Sequence, residues 1–153
     1  MLELPHTIVG ATIATKIGNP ALSLPLAFLS HFALDLLPHW NPHIYQEVNS
    51  KSQVASRSKK IILVDVLASL FVGAFLALRF YPDFIKVATI LVACFLAVLP
   101  DLVEAPYFFA GSRNKYLLAY IRLHRRYQKN GPFWLGILVQ AVTITACLFL
   151  IFL

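Results

Sequence analysis

The sequence predicts an all-α integral membrane protein, a bundle of about four embedded helices with one amphipathic helix at the interface. Three observations predict it. Of 153 residues, 59% are hydrophobic and 13% charged, whereas soluble domains run nearer half apolar and a quarter charged. The mean hydropathy of +0.73 implies more apolar surface than one small core hides, which makes lipid the expected solvent. Residues 61–81, IILVDVLASLFVGAFLALRFY, form a run long enough to span a bilayer.

The length fits a single domain, residues 1–153. Its start lacks the basic region of a cleaved signal peptide. Pro5 suits a first helical turn, HTIVGATIATKI reads as a short apolar helix, and Gly18-Asn19-Pro20 turn the chain. A second helix runs from about Ala21 to Leu37 and should stop before Pro38. Residues 5–37 thus form a helical hairpin, short for independent spans, that enters the membrane and returns. Residues 46–60, QEVNSKSQVASRSKK, read as an exposed polar loop. Two spanning helices fill 61–100, the second stopping at Pro100, and PDLVEAPYFFAGS reads as irregular chain. Residues 114–129 are a basic amphipathic helix, with Lys115, Arg122, Arg126 and Lys129 on one face and Leu117, Tyr120, Ile121 and Tyr127 on the other. Residues 132–153 form the final span.

Small residues recur at helical spacing, as at His6, Gly10 and Ala14 and at Asp65, Ser69 and Gly73, which allows membrane helices to approach closely. Cys94 and Cys147 sit in apolar runs without metal or disulfide spacing and read as small hydrophobes.

The net charge is +6. Most of the excess lies in two segments: Arg57, Lys59 and Lys60, then Arg113 to Lys129. The positive-inside rule puts both on the cytoplasmic side of the membrane, and nucleic-acid binding is the weaker reading. His6, His31, Asp35, His39, Asp65, Asp101, Glu104 and His124 then all fall at one depth near that face.

SHFALDLLPHW, residues 30–40, carries His31, Asp35 and His39 four residues apart. Side chains at i and i+4 share one helix face, a spacing that can grip a metal ion. Asp65 in an apolar helix costs several kcal/mol of transfer unless paired or ligated. Imidazole and carboxylate suit zinc first, with manganese or iron as alternatives. His6, His31, Asp35, His39, Asp65 and Asp101 are the expected ligands, enough for two ions about 4 Å apart. Glu104 or His124 can act as general acid or base. Each residue also has a packing reading. His31 and Asp35 can form a buried pair, His39 can be interfacial beside Trp40, and Asp101 can cap a turn. Asp65 can pair with an arginine or serve a proton path, His124 can simply be packed, and His43 reads as a loop residue.

HTIVGA, SHFALDLLPHW, Asp65, LPD and LHRRYQKNG resemble the bacterial and archaeal membrane-bound metal-dependent hydrolases, also labelled LexA-binding inner-membrane-associated hydrolases. The likeness covers most of the chain, with a more distant similarity to helical zinc-dependent phospholipases C. It implies a small helical membrane protein with a hydrolytic metal site at His6, His31, Asp35, Asp65 and Asp101. The HR-x-x-THS-type segment of common members is LHRRYQ here.

The function expected is metal-dependent hydrolysis of a phosphoester or ester at the cytoplasmic face. Membrane lipids are the partners, and a small molecule or a lipid is the substrate. Two other classes fit the same ligands: a non-catalytic protein that binds or moves a metal ion or proton, and a structural protein whose polar residues fix packing. A transport path needs polar groups through the outer half of the bilayer, where only Thr89, Gln140 and Thr143 offer themselves.

Overall fold

The computed structural model describes residues 1–153, apart from the side chain of Lys51. Its helices are α1 (Glu3–Ile17), α2 (Pro20–Asp35), α3 (Ile44–Lys51), α4 (Ser56–Leu78), α5 (Phe84–Ala110), α6 (Lys115–Tyr127) and α7 (Phe133–Phe152), with no strand among the described residues.

Three helices, α4, α5 and α7, are long and apolar enough to cross a membrane, fewer than the four embedded helices expected. At 15 and 16 residues, α1 and α2 fall short. The two pack against each other across a short turn. Gly18, at φ +69°, ends α1, a conformation that glycine adopts without steric cost. The Asn19 side chain then accepts from the Ala21 N–H at 2.9 Å and caps α2.

Helix α1 is the axis of the bundle and packs against α2, α4, α5 and α7. Its apolar residues are spread all round because it is buried all round. Gly10 permits the closest approach: a Cβ there would lie 2.7 Å from the Ala93 carbonyl oxygen and 2.9 Å from the Ala97 Cβ on α5. The apolar core lies around Ile8, Ala11, Leu76, Ile90 and Ala93. Outward-facing Leu70, Phe71, Phe95, Leu138 and Phe149 are more than half exposed, as expected of side chains solvated by lipid. Cys94 and Cys147 are free thiols, the first buried and the second partly so.

Two segments depart from their expected form. Helix α5 does not stop at Pro100 but continues through Pro100 and Pro106 to Ala110. Proline lacks an N–H and crowds the preceding turn, but packed neighbours hold such helices together in membranes. Here Tyr120 on α6 donates to the Pro100 carbonyl at 3.0 Å, and His31 on α2 bonds the Ala97 carbonyl at 2.8 Å. The expected irregular stretch is therefore helix, which puts Asp101 and Glu104 one turn apart. Likewise, the expected loop 46–60 contains most of α3 and the start of α4. The Glu47 carboxylate accepts from the Ala55 N–H at 2.9 Å and the Ser58 hydroxyl at 2.7 Å, capping α4 from α3. Val48 and Val54 pack with Tyr107 and Ile121 in a second, smaller cluster.

Helix α2 ends at Asp35, three residues before Pro38. The chain after it pairs with the chain after α6. Lys129 N–H bonds the Asp35 carbonyl at 2.8 Å, His39 N–H the Lys129 carbonyl at 3.1 Å, and Gly131 N–H the His39 carbonyl at 2.8 Å. Trp40 then lies against Gly136 on α7, where a Cβ would come within 2.7 Å of His39 carbonyl carbon.

Candidate metal centre

One end of the bundle gathers the start of α1, the end of α2, the last turns of α5 and the C-terminal half of α6. Asp35 is its centre. The end of α2 turns this carboxylate inward with no exposed surface. Four imidazole Nε2 atoms surround it. His6 lies 3.5 Å and His39 3.7 Å from Oδ1; His31 lies 3.5 Å and His124 3.3 Å from Oδ2. All four rings are fully or almost fully buried. The Met1 amino group donates to Oδ1 at 2.6 Å, and Gln128 Nε2 donates to Oδ2 at 3.3 Å.

Three of the rings are oriented by their other nitrogen. His31 Nδ1 bonds the Ala97 carbonyl at 2.8 Å, His39 Nδ1 the Leu37 carbonyl at 2.9 Å, and His124 Nδ1 the Glu104 Oε1 at 2.8 Å. Each acceptor is an oxygen, so each Nδ1 carries the proton. In the neutral ring, that leaves the Nε2 lone pair facing the centre. Histidine ligands of metals are held in this way, with the outward nitrogen donating to a carbonyl or carboxylate. His39 Nε2 and both nitrogens of His6 have no hydrogen-bond partner although buried, a state that ordinarily costs about 1–3 kcal/mol per group. The His6 ring stacks on His31 with centroids 4.1 Å apart.

His31, Asp35, Asp101 and His124 each offer a ligand atom within 4.8 Å of the others. Three or four nitrogen and oxygen donors at this spacing suit one divalent ion. Asp101 is the member that reaches the outside, at 20% exposure, with Oδ1 3.7 Å from His31 Nε2. A cavity of about 200 Å³ adjoins it and is also lined by Glu104, Arg125, Gln128 and Tyr45. The Arg125 guanidinium stacks 3.6 Å over the Tyr45 ring.

The electrostatics follow the geometry. At His124, burial opposes a charged ring, but the contacts with Asp35 and Glu104 outweigh it and lift its pKa to about 10. Burial pushes His39 below the usual imidazole range, toward the neutral form that binds metal.

The expected residues thus sort themselves. His31, Asp35 and Asp101 lie in the four-residue group, with His6 and His39 on the other side of Asp35. His124, expected as an acid or base, stands among the ligand atoms. Glu104 orients it, forming a carboxylate–histidine pair of the kind found behind metal ligands. Asp65 stands apart: its oxygens accept from the Glu3 and Leu4 N–H groups, at 2.5 Å and 3.3 Å. It caps α1 from α4, which satisfies two of the donors that a helix start leaves free. His43 is the N-cap position of α3. Two further residues contribute that were not among the expected site residues. Gln128 touches Asp35, and nothing in its basic surroundings marks it. Gln140 accepts from Leu2 N–H at 3.1 Å and donates to the Trp40 carbonyl at 2.9 Å; its place in an apolar helix was a signal.

Comparison with protein-family models, with curated proteins and with solved structures finds no match.

Proposed function

We propose that this chain is a metal-dependent hydrolase that acts at the cytoplasmic face of a prokaryotic-type inner membrane on a phosphoester or ester. The observation that carries the reading is Asp35, a buried carboxylate with an imidazole Nε2 pair facing each of its oxygens. Packing alone gives no reason to bring four buried histidines to one carboxylate and leave Nε2 of His39 and both nitrogens of His6 unbonded. His31, Asp35, Asp101 and His124 would hold one divalent ion, zinc first and manganese or iron next. His6, His39 and the far oxygen of Asp35 supply donors for a second. A bound ion of this kind supplies hydroxide near neutral pH by lowering the pKa of its water.

The chain's own groups do the rest. Asp101 brings the centre to the cavity, where water and substrate arrive. Glu104 fixes the His124 ring through Oε1 and lines the same cavity, and its other oxygen is the group placed to carry a proton. Arg125 offers a guanidinium fork to an anionic oxygen. The basic residues in the first turns of α4 and along α6 favour the cytoplasmic side for this end of the bundle.

Movement of an ion or proton across the membrane fits less well. The Thr89 and Thr143 hydroxyls are taken by carbonyls of their own helices, and Gln140 ties the chain start to Trp40. The test is metal content by mass spectrometry of detergent-purified wild type, His31→Ala and Asp35→Ala, followed by hydrolysis of phosphatidyl and simple phosphate esters. Metal in wild type, lost in both variants together with hydrolysis, supports the reading. Folded wild-type protein that takes up no metal, or hydrolysis that survives chelation, rejects it.

A further inference from the structure

A second cavity, of about 180 Å³, lies between α4 and α5 over Thr7 of α1. Its walls are Val66, Leu70 and Ala74 on one side and Leu91, Phe95 and Val98 on the other, all apolar. It adjoins the cavity at the metal centre: Glu3, Val66 and Leu102 line both. Along α5 it extends from Leu102 to Leu91, roughly 16 Å at the helical rise of 1.5 Å per residue. That is about half of the ~30 Å hydrocarbon core, the depth of one leaflet. Both walls belong to helices able to span a membrane, and Leu70 and Phe95 are 66% and 53% exposed at its edge. The groove therefore opens sideways to lipid. The two cavities change character along their length, from apolar beside α4 and α5 to Arg125 with the carboxylates of Glu3, Asp65, Asp101 and Glu104 at the metal centre.

We propose that an anionic glycerophospholipid docks here from the bilayer, with one acyl chain in the α4–α5 groove and its phosphoester between Arg125 and Asp101. The groove has room for one chain, and the second stays in the leaflet. Arg125 is the phosphate's partner. The exposed Arg122 and Arg126 on α6 and Lys129 just after it enrich anionic lipid at the mouth, each basic residue near a membrane surface contributing about 1 kcal/mol of attraction. Cleavage of the bound phosphoester rests on the hydrolase reading; the docking rests on the groove and on Arg125.

The experiment is photolabelling in nanodiscs. The probe is a phosphatidylglycerol with a diazirine in one acyl chain, and a diacylglycerol with the same diazirine is the control lacking phosphate. Labelled peptides are mapped by mass spectrometry, with metal content and melting temperature measured for each protein. Label concentrated on residues 66–74 and 91–98, and sparse on the exposed apolar residues of α7, is the expected result. Ala74→Phe and Val98→Phe, each filling the groove from a different wall, should both remove that label. Arg125→Gln should reduce the preference for phosphatidylglycerol over diacylglycerol about tenfold, the worth of one charge-assisted hydrogen bond. Label spread evenly over α4, α5 and α7, or crosslinks from the groove to a second copy of the chain, overturns the proposal. Asp35→Asn separates the two readings, because groove labelling should persist without metal. Wild type with metal but diffuse label defeats only the docking; groove label without metal in wild type defeats only the hydrolase.

Discussion

His124 Nδ1 lies 2.8 Å from Glu104 Oε1, and this bond turns Nε2 of the same ring toward Asp35, 3.3 Å away. The residues come from three helices, so the ring is positioned by tertiary packing and not by helix spacing. Glu104→Gln keeps the size of the side chain but removes the charge behind the ring. Metal affinity should fall by about 10–100-fold, the usual cost of losing such a partner. Competition with a chromophoric chelator measures it, and unchanged affinity would make Glu104 a bystander.

His6 tests whether buried nitrogens without partners mark a ligand. In His6→Gln, metal stoichiometry or affinity should drop while the melting temperature of metal-free protein moves little. A packing histidine stacked on His31 would give the reverse: a lower melting temperature with metal binding intact.

Asp65 makes the opposite prediction. Asp65→Ala removes the cap on α1 and should destabilise the protein by about 0.5–2 kcal/mol, the range for lost N-caps. Metal content should stay at the wild-type level. Loss of metal in folded Asp65→Ala would restore Asp65 to the ligand set.

The raised pKa of His124 sets a pH dependence in metal-free protein. A pKa above its ordinary value means that the folded state holds the proton more tightly. The stabilisation is complete below about 6.5 and is lost as pH rises through about 10. Melting temperature measured with chelator present should therefore decline across that window, and the decline should flatten in His124→Gln. A flat wild-type profile would contradict the Asp35–His124–Glu104 arrangement.

Gly10→Leu addresses the axis of the bundle. A Cβ at position 10 already meets the Ala93 carbonyl at 2.7 Å, so a larger side chain must push α1 from α5. The expected cost is about 1–3 kcal/mol or more, as for other overpacked cores. Unfolding in a denaturing detergent series reads it.

Much of this was legible in the sequence. The apolar runs gave the helical class, and His31 and Asp35 at i, i+4 marked the facing pair. The common depth of the polar residues anticipated one end of the bundle where His6, His39, Asp101 and His124 meet. Three things were not legible, each for a physical reason. Pro100 carries a local signal to stop, which packing by Tyr120 and His31 overrides. Helix α3 is only eight residues long and buries Val48 at its core-facing side, too short a pattern to stand out in polar chain. Asp65 shares both depth and charge with the ligands, and only the position of the α1 N-terminus reveals that its oxygens serve backbone amides.

The central place of α1 bears on how the protein is made. Helix α1 is the one that the finished bundle surrounds, and all four of its neighbours follow it in the chain and are synthesised later. Until α5 and α6 arrive, the His6, His31 and Asp35 side chains lack the residues that enclose them. The bundle must therefore close around a segment already waiting at the membrane, and translation of the last third of the chain sets the earliest moment at which the centre can exist.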